Sequence, residues 1–215
     1  MLERLPEAIG QALRHRRAGL EKLAFNRIDL RQGMGAITLG SMAFVDHGPI
    51  PASYTADGPG LSPPLHWAGV PADATSLVLM VEDADAPTAE PLVHAIVVGM
   101  LAQDGSLGEA GINVILDLPD GPRRGRNSYL MADWLAPDPP PGHGLHRYAF
   151  QLFALGPHGP VSQTPGREEV LALLTESALA SGMLVGTYER SDGSVKEPFA
   201  EFDAAPLSLR LPTAA

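Results

Sequence analysis

Cysteine is absent from the 215-residue chain, and long apolar runs are absent as well. Without thiols, neither disulfide bonds nor thiolate metal sites can hold the fold, and a secretory compartment gains no support. No segment approaches the roughly 20 apolar residues that span a bilayer, and the first residues lack the apolar run of a signal peptide. We therefore predict a cytoplasmic protein that does not span a membrane and that depends on its hydrophobic core alone.

Basic residues are in the minority, since 15 Lys and Arg stand against 25 Asp and Glu, for a net charge of −10. Residues 1–32 contain seven basic and four acidic residues, a net +3, so the remainder of the chain carries −13. A body this acidic repels phosphate backbones. Nucleic acid is accordingly not a predicted partner.

The domain plan follows from length and periodicity. Leucine and isoleucine recur at three- and four-residue spacing over residues 2–23, which predicts an amphipathic helix. We expect this helix and its linker to occupy residues 1–32, one β-rich domain to occupy 33–190, and a tail to occupy 191–215. The helix is predicted to pack on the domain or to join two copies in a homodimer, with binding to a membrane surface as the alternative.

Several short apolar segments separated by turn residues predict strands rather than helices. Two of them are apolar on both faces and are therefore expected at the centre of a sheet. One helix is expected to open after Thr164 and to stop at Gly182. The predicted strands are Ala36–Leu39, Ser76–Glu82, Leu92–Gly99, His146–Ala154 and Met183–Glu189.

The first candidate site is the acidic turn that follows the strand ending at Glu82, with the sequence Glu-Asp-Ala-Asp-Ala-Pro over residues 82–87. On its own such a turn is often structural, because Asp side chains bond to their own backbone. His94 in the next apolar strand is by itself a common core residue. If the two strands are neighbours, however, Asp83 and His94 meet at one edge of the sheet and form a site.

The second candidate site is the glycine-containing stretch that leads into the strand from residue 146. His146 and Tyr148 lie two residues apart on a strand and so face the same way. Arg147 faces the opposite side, where a structural ion pair is expected. The same alternation, extended backwards, directs His143 away from His146.

Together these stretches resemble the signatures of the phosphatidylethanolamine-binding protein family. The first is Val-Glu-Asp-Ala-Asp-Ala-Pro at residues 81–87 followed by His94, and the second is Pro139-Pro140 through Gly142 followed by His-Arg-Tyr-Ala-Phe at 146–150. Further segments between Ile50 and Trp67 resemble the bacterial, Raf kinase inhibitor-like branch. The resemblance covers roughly residues 37–189.

The resemblance implies a mainly β protein with flanking helices, an antiparallel β-sandwich that carries one small anion-binding pocket. The ligand-binding residues that it implies are Asp83, His94, His146 and Tyr148, with Asp85 and Pro87 shaping the loop. Two departures bear on the ligand: Ala84 replaces the usual proline between two aspartates, and the loop at 136–138 lacks glycines and places a negative Asp138 that disfavours phosphate.

Three functions remain open at this stage. The first is a regulatory binding protein for a small phosphorylated or headgroup-like anion, without a cofactor. The second is an inhibitor of protein kinases or serine proteases, which the resemblance permits. The third is an enzyme with an Asp–His general base, or with a metal held by His143, His146, His94 and Asp83; we predict neither catalysis nor a metal.

Overall fold

A computed structural model describes residues 6–28, 35–115 and 121–190 of the chain. The described part is mainly β, with ten strands and few helical segments. The strands are β1 Gly35–Ala36, β2 Thr38–Gly40, β3 Gly48–Pro49, β4 Leu65–Ala68, β5 Ser76–Asp83, β6 Leu92–Met100, β7 Gly105–Leu107, β8 Arg123–Arg124, β9 His146–Leu155 and β10 Ala178–Tyr188. The helices are α1 Glu7–Leu13, α2 Ala24–Arg27 and α3 Arg167–Ser177, with short 3₁₀ turns at Leu20–Lys22 and Ala52–Tyr54.

Within the described ranges, the strands form two sheets. The larger has the order β1-β10-β9-β5-β6-β8, with β3 also pairing with β10, and the smaller has the order β2-β4-β7. All pairings are antiparallel except those of β1 and β3 with β10. The predicted fold class, mainly β with flanking helices, is confirmed.

The large sheet is buried on both faces, which explains why its central strands are mostly apolar on both faces. One face packs against the small sheet in a core that includes Leu79, Phe150 and Trp67. The other face packs against α3 and the N-terminal segment through Met80, Phe153 and their neighbours. Strands covered on both sides need mostly apolar residues on both faces, and β5 and β6 contain them apart from a few polar residues such as Glu82, Asp83 and His94.

The N-terminal helix and the first strand are among the predicted elements whose bounds differ in the structure. The expected helix over residues 2–23 is wrong in extent: α1 ends at Leu13, and residues 1–5 lie outside the described residues. The chain then runs along the sandwich, where Ala18 N–H donates to the Ala86 carbonyl and Gly19 N–H to the Ala84 carbonyl. Pairing with another segment has taken the backbone groups that a continuous helix would use.

The predicted strand Ala36–Leu39 is divided, because β1 and β2 on either side of Ile37 join different sheets. In the described residues, no helix is long and apolar enough to cross a membrane.

Candidate functional site

Three strands of the large sheet bring the predicted residues to one edge. β5 ends at Asp83, which lies opposite Leu92 at the start of β6 and opposite Tyr148 near the start of β9. Antiparallel pairing places the end of one strand beside the beginning of the next, so the two sequence stretches meet although they lie some sixty residues apart.

The meeting point forms a cavity of about 30 Å³, which suits a group of only a few non-hydrogen atoms. Its walls are largely apolar, with a few polar side chains among them. Of the predicted site residues, Asp83, Pro87, His94 and His146 line it. The other lining residues are Ala86, Leu92, Tyr129, Leu135, Ala136, Asp138, Pro139 and Pro140.

A chain of hydrogen bonds links the cavity to the N-terminal segment. Asp83 Oδ2 lies 2.7 Å from His146 Nδ1, and His146 Nε2 lies 2.7 Å from His143 Nδ1. His143 Nε2 in turn lies 2.9 Å from the carbonyl oxygen of Leu13. Both nitrogens of His146 are therefore engaged inside the protein, so this residue shapes the cavity without offering a free nitrogen to a ligand.

The prediction that His143 faces away from His146 is wrong. Alternation holds only within a strand, and β9 begins at His146. Gly142 at φ +74° and Gly144 at φ +92° turn the preceding loop back on itself, a conformation that favours glycine. The turn brings the His143 ring to 4.8 Å from that of His146, centroid to centroid.

His94 lines the cavity and has one ring nitrogen without a hydrogen-bond partner among the described residues. Its Nδ1 lies 2.6 Å from the Leu135 carbonyl, and because a carbonyl only accepts, Nδ1 carries the hydrogen. Among the described residues, its buried Nε2 has no partner. Burial lowers the pKa of His94 despite the nearby Asp83, so the ring is neutral and Nε2 presents a lone pair.

Tyr148 lies directly behind His94 rather than in the cavity wall. The two rings meet edge to face at 5.1 Å between centroids. The Tyr148 hydroxyl is buried without a partner in the described structure, and burial raises its pKa well above the ordinary value, so it stays a hydrogen-bond donor. The indole nitrogen of Trp134, whose ring lies 6.3 Å from that of His94, is also buried and unpartnered there.

Asp85 does not line the cavity, which corrects its assignment as a ligand-binding residue. Its carboxylate accepts hydrogen bonds from the Arg147 backbone and guanidinium and lies 2.8 Å from Arg17 Nη1. Burial alone would raise the pKa of Asp85, but the bonds from Arg147 and Arg17 outweigh it and hold this pKa below its ordinary value. Arg147 thus forms a structural ion pair, as predicted, and its partner is Asp85.

Sequence reasoning missed Arg190, which it placed at the border of the tail. This side chain is fully buried; its guanidinium pairs with Asp57 at 2.8 Å and with Asp138 at 2.7 Å. A single arginine after a strand gives no signal in the sequence. Arg190 compensates the charge of Asp138 at the cavity wall. Asp138 therefore repels an anion less than the sequence predicts.

The alternative of a metal site can be compared with the geometry of the described residues. In these ranges, no group of three or more His, Asp and Glu side chains is arranged to hold a metal ion. His143 and His146 direct nitrogens at each other and share a hydrogen bond instead.

Comparison with known sequences gives consistent results. A family model described as phosphatidylethanolamine-binding protein matches residues 40–189. A UPF0098 protein of Methanothermobacter thermautotrophicus is 36% identical over 154 residues, covering 72% of this chain and 99% of the relative. LppC of Mycobacterium tuberculosis, whose name marks it as a candidate lipoprotein, is 36% identical over 157 residues, covering 71% of this chain and 72% of the relative.

Solved structures give the same family. CT736 from Chlamydia trachomatis, described as a homologue of phosphatidylethanolamine-binding protein, superposes with a TM-score of 0.64 at 32% identity. YbcL from E. coli, described as a member of the mammalian family of these proteins, superposes with a TM-score of 0.65 at 27% identity. Each alignment covers 72% of this chain and 98% of the other.

Proposed function

The chain belongs to the phosphatidylethanolamine-binding protein family, and from this premise we propose that it binds a small phosphate-bearing ligand in the cavity between Asp83 and His94. The observation that carries the proposal is His94 Nε2, a buried polar atom of a cavity-lining residue that no described residue satisfies, together with the equally unsatisfied hydroxyl of Tyr148, whose ring packs against His94. A buried polar atom without a partner costs about 1–3 kcal/mol, and a ligand that pairs with it recovers that free energy.

The ligand has to match one acceptor and one donor. Neutral His94 offers a lone pair at Nε2, and Tyr148 offers a hydroxyl hydrogen. A phosphate group that retains one proton satisfies both, because its P–OH donates to His94 while another oxygen accepts from Tyr148. The preferred ionic form is therefore the protonated phosphate rather than the fully ionised one.

The charges around the cavity favour phosphate over an ammonium group. Asp83, which an ammonium would need, already accepts from His146 through Oδ2 and from the Asp85 backbone through Oδ1. Asp138 is paired with Arg190. Neither carboxylate is left with its full charge toward the cavity.

Calorimetric titration with inorganic phosphate and with phosphoethanolamine tests this proposal. We expect millimolar or tighter binding that weakens as the pH rises from 6 to 8, because phosphate monoesters lose their last proton near a pKa of about 6. Tyr148→Phe should weaken binding roughly tenfold or more by removing a donor to a charged group. Tyr54→Phe, which removes a hydroxyl bonded to Glu109 outside the cavity, serves as the matched control.

Two results would contradict the proposal: no binding heat at either pH, or equal affinities for the Tyr148→Phe and Tyr54→Phe variants. If phosphoethanolamine binds and phosphate does not, the cavity recognises the amine and Asp83 is the residue concerned.

We further propose that the role of the site is binding rather than catalysis. His146, the histidine that is hydrogen-bonded to Asp83, has both nitrogens engaged, and His94 bonds to the Leu135 carbonyl rather than to an aspartate. Inhibition of a protein kinase or serine protease is the alternative use of the same pocket. Inhibition that is abolished by Tyr148→Phe would support that alternative, and the proposal itself needs neither a cofactor nor a metal.

We also propose that the protein is located in the cytoplasm and that it can form a homodimer. Cell fractionation decides the first, which matters because one relative is named as a candidate lipoprotein. Light scattering of the purified protein decides the second.

A further inference from the structure

The N-terminal segment, residues 6–28, lies against both loops that shape the cavity. Its backbone pairs with the aspartate-containing loop through Ala18 and Gly19, at 3.0 and 2.8 Å. Its Arg17 donates to the Leu145 carbonyl at 2.7 Å in the other loop. A β-carbon on Gly10 of α1 would lie 1.9 Å from the Pro141 carbonyl oxygen, so the helix backbone touches this second loop directly.

The chain of hydrogen bonds from Asp83 to Leu13 fixes how many protons it holds. The Leu13 carbonyl can only accept, so His143 Nε2 must carry a hydrogen. The 2.7 Å contacts between His143 and His146 and between His146 and Asp83 need one hydrogen each. Two neutral imidazoles supply two hydrogens for these three bonds. The complete series of hydrogen bonds from Asp83 to Leu13 therefore contains one additional proton.

Removal of the additional proton leaves one bond without a hydrogen. One of the two remaining hydrogens stays between His146 and ionised Asp83, because an unpaired buried carboxylate is the costliest alternative. The other is best used between His143 and His146, because that contact is buried, whereas the contact with Leu13 is only part-buried and its carbonyl can bond to water instead. The His143 lone pair then faces the Leu13 carbonyl lone pair. The contact that holds the end of α1 is therefore the one that is lost.

Several charged and titratable groups act on this chain from the elements around it. The titratable groups that face His146 are His94 from β6, His143 from the loop before β9 and Asp83 from β5. Burial and the nearby His146 lower the pKa of His143, which disfavours the additional proton on His143. The remaining charged groups close to the chain are Arg17, Asp138 and Asp85.

We propose that docking of the N-terminal segment and phosphate binding in the cavity are coupled through the proton of the Asp83–His146–His143 chain. This inference rests on the proposed function, since the ligand must be an anion. A phosphate beside His94 stabilises a positive charge on His146, the charge retains the proton, and the proton holds Leu13. By reciprocity, a docked segment tightens phosphate binding by the same factor.

The test is a pH titration of the full-length protein by nuclear magnetic resonance. It follows the ring nitrogens of His146 and the backbone amides of Ala18 and Gly19. We expect the ring and both amides to change with one common midpoint. Saturating phosphate should raise that midpoint, by about one pH unit if the coupling is tenfold.

A variant separates coupling from coincidence. Gly10→Ala should displace α1 from the loop at Pro141 and so remove the Leu13 acceptor, which lowers the His146 midpoint and weakens phosphate binding. Gly159→Ala is the matched control, because a β-carbon there meets nothing within 4 Å. The titration of the unaltered protein is informative even where Gly10→Ala does not fold.

The possible outcomes distinguish this inference from the proposed function. If phosphate binds but the midpoint stays where it was, the coupling is wrong and the proposed function stands. If phosphate does not bind while His146 and the two amides still titrate together, the proposed function is wrong and proton-linked docking is supported. Amides that do not follow His146 at any pH would overturn the docking mechanism itself.

Discussion

At the scale of single residues, the polar atoms without partners at the cavity and behind its wall belong to neutral side chains rather than to charged ones. His94 Nε2 and the Tyr148 hydroxyl are buried and unsatisfied within the described chain. The aspartates that dominate the sequence motif are instead occupied: Asp83 by His146, and Asp85 by Arg147 and Arg17. The aspartates of the motif thus hold the fold together, and the atoms without partners are the ones that we propose for ligand binding.

His94 gives the chain a specific sensitivity to acid. Its pKa in the folded state is lowered from 6.5 by burial, so below pH 6.5 the unfolded chain takes up a proton that the folded chain refuses. Its contribution to stability is complete above pH 6.5 and is lost as the pH falls toward the folded pKa, at about 1.4 kcal/mol per pH unit. His143, whose pKa is also lowered, adds to the same trend.

We predict that His94→Gln reduces this acid sensitivity, because glutamine can donate to the Leu135 carbonyl and does not titrate. Urea unfolding between pH 7.5 and 5 measures how the free energy of unfolding changes with pH. The number of protons taken up on unfolding, which this slope reports, should be smaller by about one than in the unaltered protein. His158→Gln at an exposed position is the control. An unchanged slope in His94→Gln would assign the acid sensitivity to other groups.

The individual site residues differ in how far the sequence could place them. Alternation along a strand correctly separated His146 and Tyr148 from Arg147, because period two is a local property of extended backbone. It failed for His143, where two glycines with positive φ end the alternation. The position of Asp85 outside the cavity depends on its ion pairs with Arg147 and with Arg17, and Arg17 belongs to the N-terminal segment, far from Asp85 in the sequence.

At the scale of elements, apolar runs predicted the central strands well and the flanking elements less well. β5, β6 and β9 each extend by one residue or so beyond their expected bounds. The helix expected to reach Gly182 ends at Ser177 as α3, and the chain goes directly into β10. The predicted strand from Met183 to Glu189 therefore begins five residues earlier, at Ala178.

Gly182 explains this error. It was interpreted as the glycine that ends a helix, whereas it lies inside β10 where Ile37 crosses the strand. A β-carbon at residue 182 would lie 2.3 Å from the Ile37 carbonyl oxygen. The glycine is required by a close approach of two chain segments, and that approach has no counterpart in the local sequence.

We predict that Gly182→Ala destabilises the protein by about 1–3 kcal/mol, because the backbone of Ile37 leaves no room for a methyl group. Gly108→Ala, where a β-carbon meets nothing within 4 Å, should have little effect. Thermal or urea unfolding of the two variants compares them directly. Equal stabilities would mean that β10 and Ile37 separate at little cost.

At the scale of the whole molecule, the N-terminal segment is packed into the sandwich. Leu23 is fully buried against Ala84, Ala149 and Met183. The backbone N–H of Ala24 donates to Glu82, and that of Phe25 donates to Gln151. These contacts cover the face of the large sheet beside α3. The N-terminal segment therefore packs against the domain that was expected to begin at residue 33.

Leu23→Ala tests whether the segment and the sandwich unfold together. We predict a loss of about 2–5 kcal/mol in the stability of the whole protein, the usual range for a buried leucine. Leu20→Ala, at a position that is 37% exposed, should change stability by no more than about 0.5 kcal/mol. A separate early transition in Leu23→Ala, with the main transition unchanged, would instead show that the segment is an appendage.

By itself, the sequence determined the family, the mainly β class and the central strands, and through the family resemblance it predicted that the acidic turn and the strand at His146 share one pocket. These features follow from short-range patterns: alternation, turn residues and motifs of a few neighbouring positions. The tertiary structure alone decided which polar atoms stay without partners, how Arg190 compensates Asp138, and how His143 connects the cavity to Leu13. Those contacts join residues as much as 130 positions apart, and no local pattern encodes them.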